Sequence, residues 1–357
     1  MATSSRREFL QAAGGGSAAL AFMVANGIKL NANPLGMPIG TQMWPHQTLI
    51  NNSYEGFEKV CKDLKAVGVD SIETISPSGP FSNLSDGKRL RKMVDDAGLK
   101  CFSAHFRGLS TPANVPTLIT FAKDLGMTHM SMASMGGRLV NGVTTLEEIK
   151  TVCDRYNKIG AIVKKEGFQL MTHNEGFENS RIIDGRLTYP VLLEYLDPEL
   201  VKMQFQMSGM TTVGDPILYF TQYPGRFASA HLQGVNSAAG MRAAAGPPAL
   251  TVKPTPEQLA ARAARAGGAG GGGRAAAPAA APAAPAAAGG ARGTVAAPAA
   301  AGRAGGGGNA LAVGEDTVDW VAVFTAAKTG GLKNFFVEQQ WDTMVRSVAF
   351  LKTLNVT

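Results

Sequence analysis

The chain has 357 residues, 43 of them glycine, and a formal net charge of +7. A tract over Ala260–Ala310 consists almost wholly of Ala, Gly, Pro and Arg, with too few large apolar side chains to offset the entropy of ordering it. We therefore predict a disordered insertion at residues 242–310. Apart from about 35 N-terminal residues, the rest has the length of one (β/α)8 barrel, about 250 residues.

The positive charge lies outside the part of the chain that we expect to fold. Five arginines without any acid in the Ala/Gly/Pro/Arg tract, and Arg6, Arg7 and Lys29 against Glu8 near the N-terminus, account for all of it. The remaining residues balance in charge, so the sequence predicts no basic surface for nucleic acid.

The N-terminal residues carry the pattern of an export signal. Ser5-Arg6-Arg7-Glu8-Phe9-Leu10 precedes a weakly apolar stretch over residues 12–25. Paired arginines before such a stretch are typical of the twin-arginine signal, and this stretch is too short for a stable membrane span. We expect residues 1–35 to be signal peptide and leader, the export machinery to be a partner, and the protein to be periplasmic or extracellular.

From Met37 onward, short apolar runs alternate with amphipathic segments, which is the pattern of parallel β/α units. The predicted strands are Pro38–Met43, Ser71–Ile75, Lys100–Ala104, His129–Ala133, Gln169–Thr172, Val201–Met207, Phe227–Leu232 and Asn334–Val337. The predicted helices are Tyr54–Val67, Ser85–Ala97, Val115–Leu125, Leu146–Glu166, Pro190–Leu196, Pro216–Tyr223, Val318–Lys328 and Met344–Leu354. Eight such units predict a (β/α)8 TIM barrel over residues 36–357, interrupted by the insertion after the seventh strand.

Polar side chains gather where the predicted strands end. In TIM barrels the carboxyl ends of the strands carry the functional residues, so we expect these side chains to meet at one mouth. They are Gln42, Trp44, His46, Glu73, His105, His173, Asn174, Glu175, Gln206, His231, Gln233, Glu338 and Gln339. His129, the fifth histidine, begins a strand and is predicted to be structural at the opposite end.

Four segments, in order along the chain, resemble the motifs of one family. Thr172-His173-Asn174-Glu175-Gly176-Phe177-Glu178 is similar to H-N-H-x-x-E, and Ala230-His231-Leu232-Gln233-Gly234 is similar to H-L-K-D. Val313–Trp320 resembles a G-E-G-x-I-D-W turn, and Phe336–Gln339 resembles a closing V-E strand. These are motifs of the sugar phosphate isomerase/epimerase family, the xylose isomerase-like TIM barrels.

The resemblance implies one divalent metal held by His173, Gln206, His231 and Glu338. Two imidazoles and a carboxylate at one mouth suit Mn²⁺, Zn²⁺ or Fe²⁺ better than Mg²⁺. In this family the metal polarises a sugar carbonyl while a base moves a proton beside it. The expected catalytic residues are Glu338, Glu175 and His105, and the expected substrate-binding residues are Trp44, His46, Glu73, Asn174 and Gln233.

The chain departs from the family pattern at three places. The family's sixth-strand ligand is usually Asp, and here it is Gln206; the fifth-strand ligand is often Glu, and here it is His173. Gln233 and Gly234 replace Lys and Asp of the H-L-K-D segment. We expect these losses of negative charge to weaken metal binding, with Glu175 returning one carboxylate to the pocket.

We therefore expect a metal-dependent isomerase or epimerase that acts on a sugar or keto-sugar. A lyase or dehydratase that uses the same enediolate step, and a non-catalytic sugar-binding barrel that has lost its metal, are alternatives. A phosphodiesterase like the apurinic endonucleases is disfavoured, because that chemistry needs more ligands than this mouth offers and a basic face for DNA.

Overall fold

The computed structural model describes residues 36–235 and 311–356. The expected signal peptide at residues 1–35 and the expected insertion at residues 242–310 lie outside the described residues. Within the two described ranges, no helix has both the length and the apolar content that crossing a membrane requires.

Eight parallel strands form one sheet, which confirms the predicted TIM barrel. Strands β1 to β8 are Ile39–Gln42, Ser71–Ile75, Lys100–His105, His129–Met130, Gln169–His173, Val201–Gln206, Phe227–Leu232 and Asn334–Val337. Their order in the sheet is β3-β2-β1-β8-β7-β6-β5-β4. Just after β4, Ser131 donates its backbone N–H to Ala104 O (3.0 Å) and accepts from the N–H of Phe106 (2.8 Å), so β4 is joined to β3 and the ring closes.

The eight predicted helices are present with small changes at their ends, and two one-turn helices, α1 (Gln47–Ile50) and α7 (Met210–Val213), were not predicted. Helices α1 to α10 are Gln47–Ile50, Tyr54–Val67, Gly87–Asp96, Val115–Leu125, Leu146–Lys165, Thr188–Tyr195, Met210–Val213, Pro216–Gln222, Trp320–Thr329 and Trp341–Leu351. Helix α2 begins where Ser53 Oγ accepts from the N–H of Gly56, and it ends at Gly68 with a φ of 95°. Only glycine adopts this left-handed conformation without strain, and it turns the chain towards β2.

The core has two layers because each barrel strand is covered on both faces. Every residue of β1 and β2 is buried, one face towards the barrel interior and the other towards the helices. Helix α2 contributes Phe57, Val60, Cys61 and Leu64, whose spacing places them on one face. The apolar periodicity of the sequence therefore reflects packing against the outside of the barrel.

The structure adds one small sheet that the sequence did not predict. Val143–Thr144, between β4 and α5, pairs in parallel with Arg181–Ile182, between β5 and α6. Two-residue strands are too short to produce a hydrophobic period, which is why the pattern gave no sign of them. This small sheet links the loop after β4 to the loop after β5.

Asp316 joins the segment after β7 to the start of α9. Its carboxylate accepts from the backbone N–H of Val235 (3.0 Å) and from Trp320 Nε1 (2.9 Å), and both the carboxylate and the indole are buried. We expect Asp316→Ala to lower the free energy of unfolding by about 1–3 kcal/mol, because it leaves buried donors without a partner. Urea denaturation measures this, with Asp95→Ala at an exposed helical position as control; equal losses in the two variants would contradict the assignment.

Candidate active site

Three histidines converge at the carboxyl ends of the strands. His105 ends β3, His173 ends β5 and His231 lies one residue before the end of β7. The ring centroids of His173 and His231 are 4.2 Å apart, and that of His105 lies 5.2 Å from His231 and 5.4 Å from His173. All three side chains are buried. The structure therefore brings together three of the four histidines predicted at the mouth.

Glu338, directly after β8, joins this cluster through one oxygen. Its Oε2 lies 3.3 Å from His231 Nδ1 and accepts from Gln206 Nε2 (2.7 Å) and from Gln233 Nε2 (3.2 Å). In this way Gln206 from β6, His231 from β7 and Gln233 directly after β7 all contact the single carboxylate that follows β8. Gln206 and His231 are adjacent because they are register partners in the sheet.

Glu175 is the more accessible of the two carboxylates at the mouth. Its side chain is 30% exposed, compared with 9% for Glu338. Glu175 Oε1 accepts from Gln206 Nε2 (3.3 Å) and lies 3.7 Å from His173 Nε2. The amide of Gln206 therefore donates to both carboxylates and separates two like charges.

A hydrogen bond from the backbone of Gln206 to the side chain of Asn174 joins the ends of β5 and β6. Asn174 is fully buried, and its Oδ1 accepts from the backbone N–H of Gln206 (2.7 Å) while its Nδ2 donates to Asn179 Oδ1 (3.2 Å). The structure thus places Asn174, a predicted substrate-binding residue, between the ends of β5 and β6, where it fixes the positions of its neighbours.

Glu73 lies deeper, below the three histidines. It is fully buried, and its oxygens face Ser103 Oγ (2.6 Å), Gln204 Nε2 (2.9 Å), His231 Nε2 (2.5 Å) and His105 Nε2 (3.2 Å). Gln204 extends this network to Ser229 and Ser131. Neither Ser103 nor Gln204 was predicted from the sequence, where the one available signal was a glutamine between two apolar residues of a predicted strand.

Trp44 and His46 lie on the β1 side of the mouth. Trp44 is half-buried and stacks on Phe81 with ring centroids 6.2 Å apart. His46 is fully buried, with its ring edge-on to Trp341 and its Nε2 3.3 Å from Thr41 Oγ1. Burial lowers the pKa of His46 to about 4, so it is neutral at pH 7. His129, half-buried at the start of β4, lies 2.7 Å from Thr128 Oγ1.

The charges in the cluster alternate in sign. Burial opposes ionisation of Glu73, but His105 and His231 outweigh it and hold the pKa of Glu73 well below its ordinary value. Burial likewise opposes protonation of His231, yet the charges of Glu73 and Glu338 raise its pKa to about 10. His231 is thus a cation between two anions.

His173 differs, because burial and the neighbouring charge of His231 lower its pKa. Its Nδ1 lies 3.1 Å from the backbone O of Gln204, and since a carbonyl only accepts, Nδ1 carries the proton. The lone pair of neutral His173 is therefore on Nε2.

Beside His231 and Glu338, two buried atoms lack a hydrogen-bond partner among the described residues, His173 Nε2 and Gln206 Oε1. Both offer lone pairs, and ligand atoms of His173, His231 and Glu338 lie within 4.8 Å of one another. Buried acceptors without donors are unfavourable unless something else satisfies them. The four residues predicted as ligands therefore fit a divalent cation.

No protein-family model matches the sequence, and no curated protein matches it. Among solved structures, a sugar phosphate isomerase/epimerase from Parabacteroides distasonis is 17% identical with a TM-score of 0.56, covering 89% of this chain and 94% of that chain. An L-ribulose 3-epimerase is 13% identical with a TM-score of 0.55, covering 89% and 94%. A xylose isomerase-like TIM barrel protein from Mycobacterium smegmatis in complex with magnesium is 12% identical with a TM-score of 0.53, covering 90% and 97%. At these identities the likeness establishes the fold.

Glu178 was part of the predicted motif but had no assigned role. It is fully buried, and it accepts from Ser134 Oγ (2.8 Å) and from the backbone N–H groups of Met135 and Gly176. It thereby ties the loop after β4 to the loop that carries Glu175. Burial outweighs these three donors and raises the pKa of Glu178 to about 7.

This carboxyl gives a testable pH dependence. The native protein keeps the proton on Glu178 up to about pH 7, whereas the unfolded chain releases it near the ordinary value of 4.5. Its contribution to stability is therefore complete below about pH 4.5 and lost as the pH rises to 7. Between pH 5 and 7.5, we expect the wild type to lose about 2–3 kcal/mol relative to Glu178→Gln in urea denaturation. Parallel pH curves would contradict this assignment.

Gln206 is a neutral side chain among the proposed metal ligands, at a position where an acid would add a negative charge. We expect Gln206→Asp to bind Mn²⁺ about tenfold more tightly in calorimetry, since an anionic ligand strengthens attraction to a cation. The same variant should be less stable without metal, because three carboxylates then face one another. Gln222→Glu, which adds the same charge at an exposed position in α8, is the control and should leave Mn²⁺ affinity unchanged. Equal affinity in both variants would show that residue 206 does not face the metal.

Proposed function

We propose that this chain is a metal-dependent isomerase or epimerase that moves a proton next to the carbonyl of a sugar or keto-sugar. One observation carries the proposal: His173 Nε2 and Gln206 Oε1 are buried lone pairs without donors, beside His231 and Glu338, at the functional end of a TIM barrel. Isomerases and epimerases among the structurally similar proteins support the same class of reaction.

His173, Gln206, His231 and Glu338 would hold the metal, with Mn²⁺, Zn²⁺ or Fe²⁺ favoured by the imidazole ligands. When bound, such an ion polarises a carbonyl oxygen and stabilises the negative charge of an enediolate. The remaining chemistry belongs to side chains of this chain.

Glu175 is the proposed base. Burial opposes its ionisation, but the surrounding cluster of histidines outweighs burial and lowers the pKa of Glu175. It is therefore ionised at neutral pH, as accepting a proton requires. Its partial exposure at the mouth lets a substrate carbon approach.

His105 is proposed to donate a hydrogen bond or proton to a substrate oxygen. Burial alone would lower its pKa, but the charge of Glu73 outweighs burial and raises it. Gln233 and Trp44 are proposed substrate contacts, one as an amide donor beside Glu338 and the other as an aromatic face for a sugar ring.

Export by the twin-arginine route is a separate part of the proposal, and it rests on the sequence around Arg6 and Arg7. A periplasmic or extracellular location favours a neutral sugar derivative over a phosphorylated one as substrate.

Deuterium exchange tests the reaction directly. The Mn²⁺-loaded protein is incubated in D₂O with a panel of ketopentoses and ketohexoses that includes L-ribulose, and proton NMR follows the C–H next to each carbonyl. We expect exchange in the wild type and a loss of about 100-fold or more in Glu175→Gln, since general bases contribute about 10²–10⁴-fold.

Glu199→Gln, which changes an exposed carboxylate near the start of β6, is the matched control and should retain exchange. Undiminished exchange in Glu175→Gln would remove Glu175 from the reaction. Sugar binding without exchange by any panel member would contradict the enzyme proposal and indicate a sugar-binding barrel.

A further inference from the structure

Glu73 is a carboxylate inside the barrel, in a region where TIM barrels carry bulky apolar side chains. It lies two residues before the end of β2 and is fully buried. An enclosed charge of this kind is costly unless it is paired and hydrogen-bonded. Its presence therefore needs a reason beyond packing.

All the accepting capacity of Glu73 is directed at neighbouring donors. Oε1 accepts from Ser103 Oγ (2.6 Å) and Gln204 Nε2 (2.9 Å). Oε2 accepts from His231 Nε2 (2.5 Å) and lies 3.2 Å from His105 Nε2, which is also 3.0 Å from Gln204 Oε1. With three hydrogen-bond donors and the imidazole of His105 around it, Glu73 is not positioned to contact a sugar at the mouth.

The bond to Glu73 decides which way the ring of His231 faces. With Nε2–H donated inward, Nδ1 lies 3.3 Å from Glu338 Oε2 and faces the residues at the mouth. A flip of the His231 imidazole would break the contacts of both its nitrogens. His231 therefore has one orientation in which Glu73 and Glu338 are both satisfied.

We propose that Glu73 is a positioning residue that fixes His231 through Nε2 and so makes Nδ1 the nitrogen that binds the metal. The inference rests on the metal site of the proposed function and adds the identity of the ligand atom and the group behind it. A metal-bound histidine generally donates its other N–H to a carboxylate or carbonyl, which fixes the ring and raises its basicity.

A cation between Glu73, His105 and His231 is the competing arrangement, since their ligand atoms also lie within 4.8 Å of one another. The hydrogen bonds argue against it. An ion there would compete with Ser103 and Gln204 for Glu73 and would displace the Nε2 proton of His231. On the other side, an ion would displace the Nδ1 proton of His231 and would meet two lone pairs that have no donor, those of His173 Nε2 and Gln206 Oε1. The cation therefore belongs on the Nδ1 side of His231.

Nitrogen NMR of the Zn²⁺-loaded wild type tests the ligand atom. The chain has only five histidines, so selective ¹⁵N-histidine labelling gives a spectrum in which each ring can be assigned by single substitutions. We expect zinc on Nδ1 of His231 and a slowly exchanging proton on Nε2. Zinc on Nε2 would overturn the inference while leaving the proposed function intact. Failure of the wild type to take up Zn²⁺ or Mn²⁺ would instead refute the metal-dependent function, and this inference with it.

The role of Glu73 is tested by comparing Glu73→Gln with Ser103→Ala. Glutamine keeps the size of the side chain but removes its charge, and we expect Mn²⁺ to bind about 10–100-fold more weakly. Ser103→Ala removes a neighbour of Glu73 that does not bond to His231, so its Mn²⁺ affinity should match the wild type even where its stability falls. Equal affinities in the two variants would reduce Glu73 to a structural role. If Glu73→Gln does not fold, the zinc-bound nitrogen of the wild type still decides the inference.

Discussion

The constraint on which the candidate site depends is the enclosure of the negative charge of Glu73 inside the barrel. A buried carboxylate must be matched by donors, and it selects Ser103 on β3, Gln204 on β6 and the imidazoles of His105 and His231 around it. These donors come from three strands, with Ser103 and His105 on β3, Gln204 on β6 and His231 on β7. The charge therefore fixes the relative positions of β2, β3, β6 and β7 more specifically than apolar packing alone would.

A chain of contacts runs from Glu73 outward to the mouth. His231 faces Glu73 on one side and Glu338 on the other, and Gln206 then separates Glu338 from Glu175. The side-chain amide of Gln206 donates to both carboxylates. An acidic side chain at this position would repel them unless a cation were bound. The chain thus keeps two glutamates close together at the mouth, and the proposed metal site has one anionic ligand fewer for that reason.

The fold was largely predictable because the spacing of apolar residues along the sequence distinguishes strands from helices. The bounds of α2, α4, β2, β7 and β8 were predicted to the residue, and the other predicted elements differ only at their ends, whereas the one-turn helices α1 and α7 were not predicted. Which residues lie at the mouth was also largely predictable, since the ends of parallel strands meet at one edge of a barrel. The burial of individual side chains could not be predicted in the same way. Glu73 and His46 were expected to contact substrate at the mouth. The structure shows both fully buried, Glu73 two residues before the end of β2 and His46 packed against Trp341.

What the sequence could not show is which polar side chains face one another, because this depends on strand register across the barrel. Gln204 and Glu73 are separated by 131 positions in the chain and meet only because β2 and β6 face each other across the interior. The likeness to barrels at 12–17% identity concerns the scaffold, whereas the chemistry of a barrel depends on its particular side chains. In this chain those side chains are the ones around His231. The proposed metal site therefore depends on Glu73 as well as on the four proposed ligands, because Glu73 bonds to Nε2 of His231.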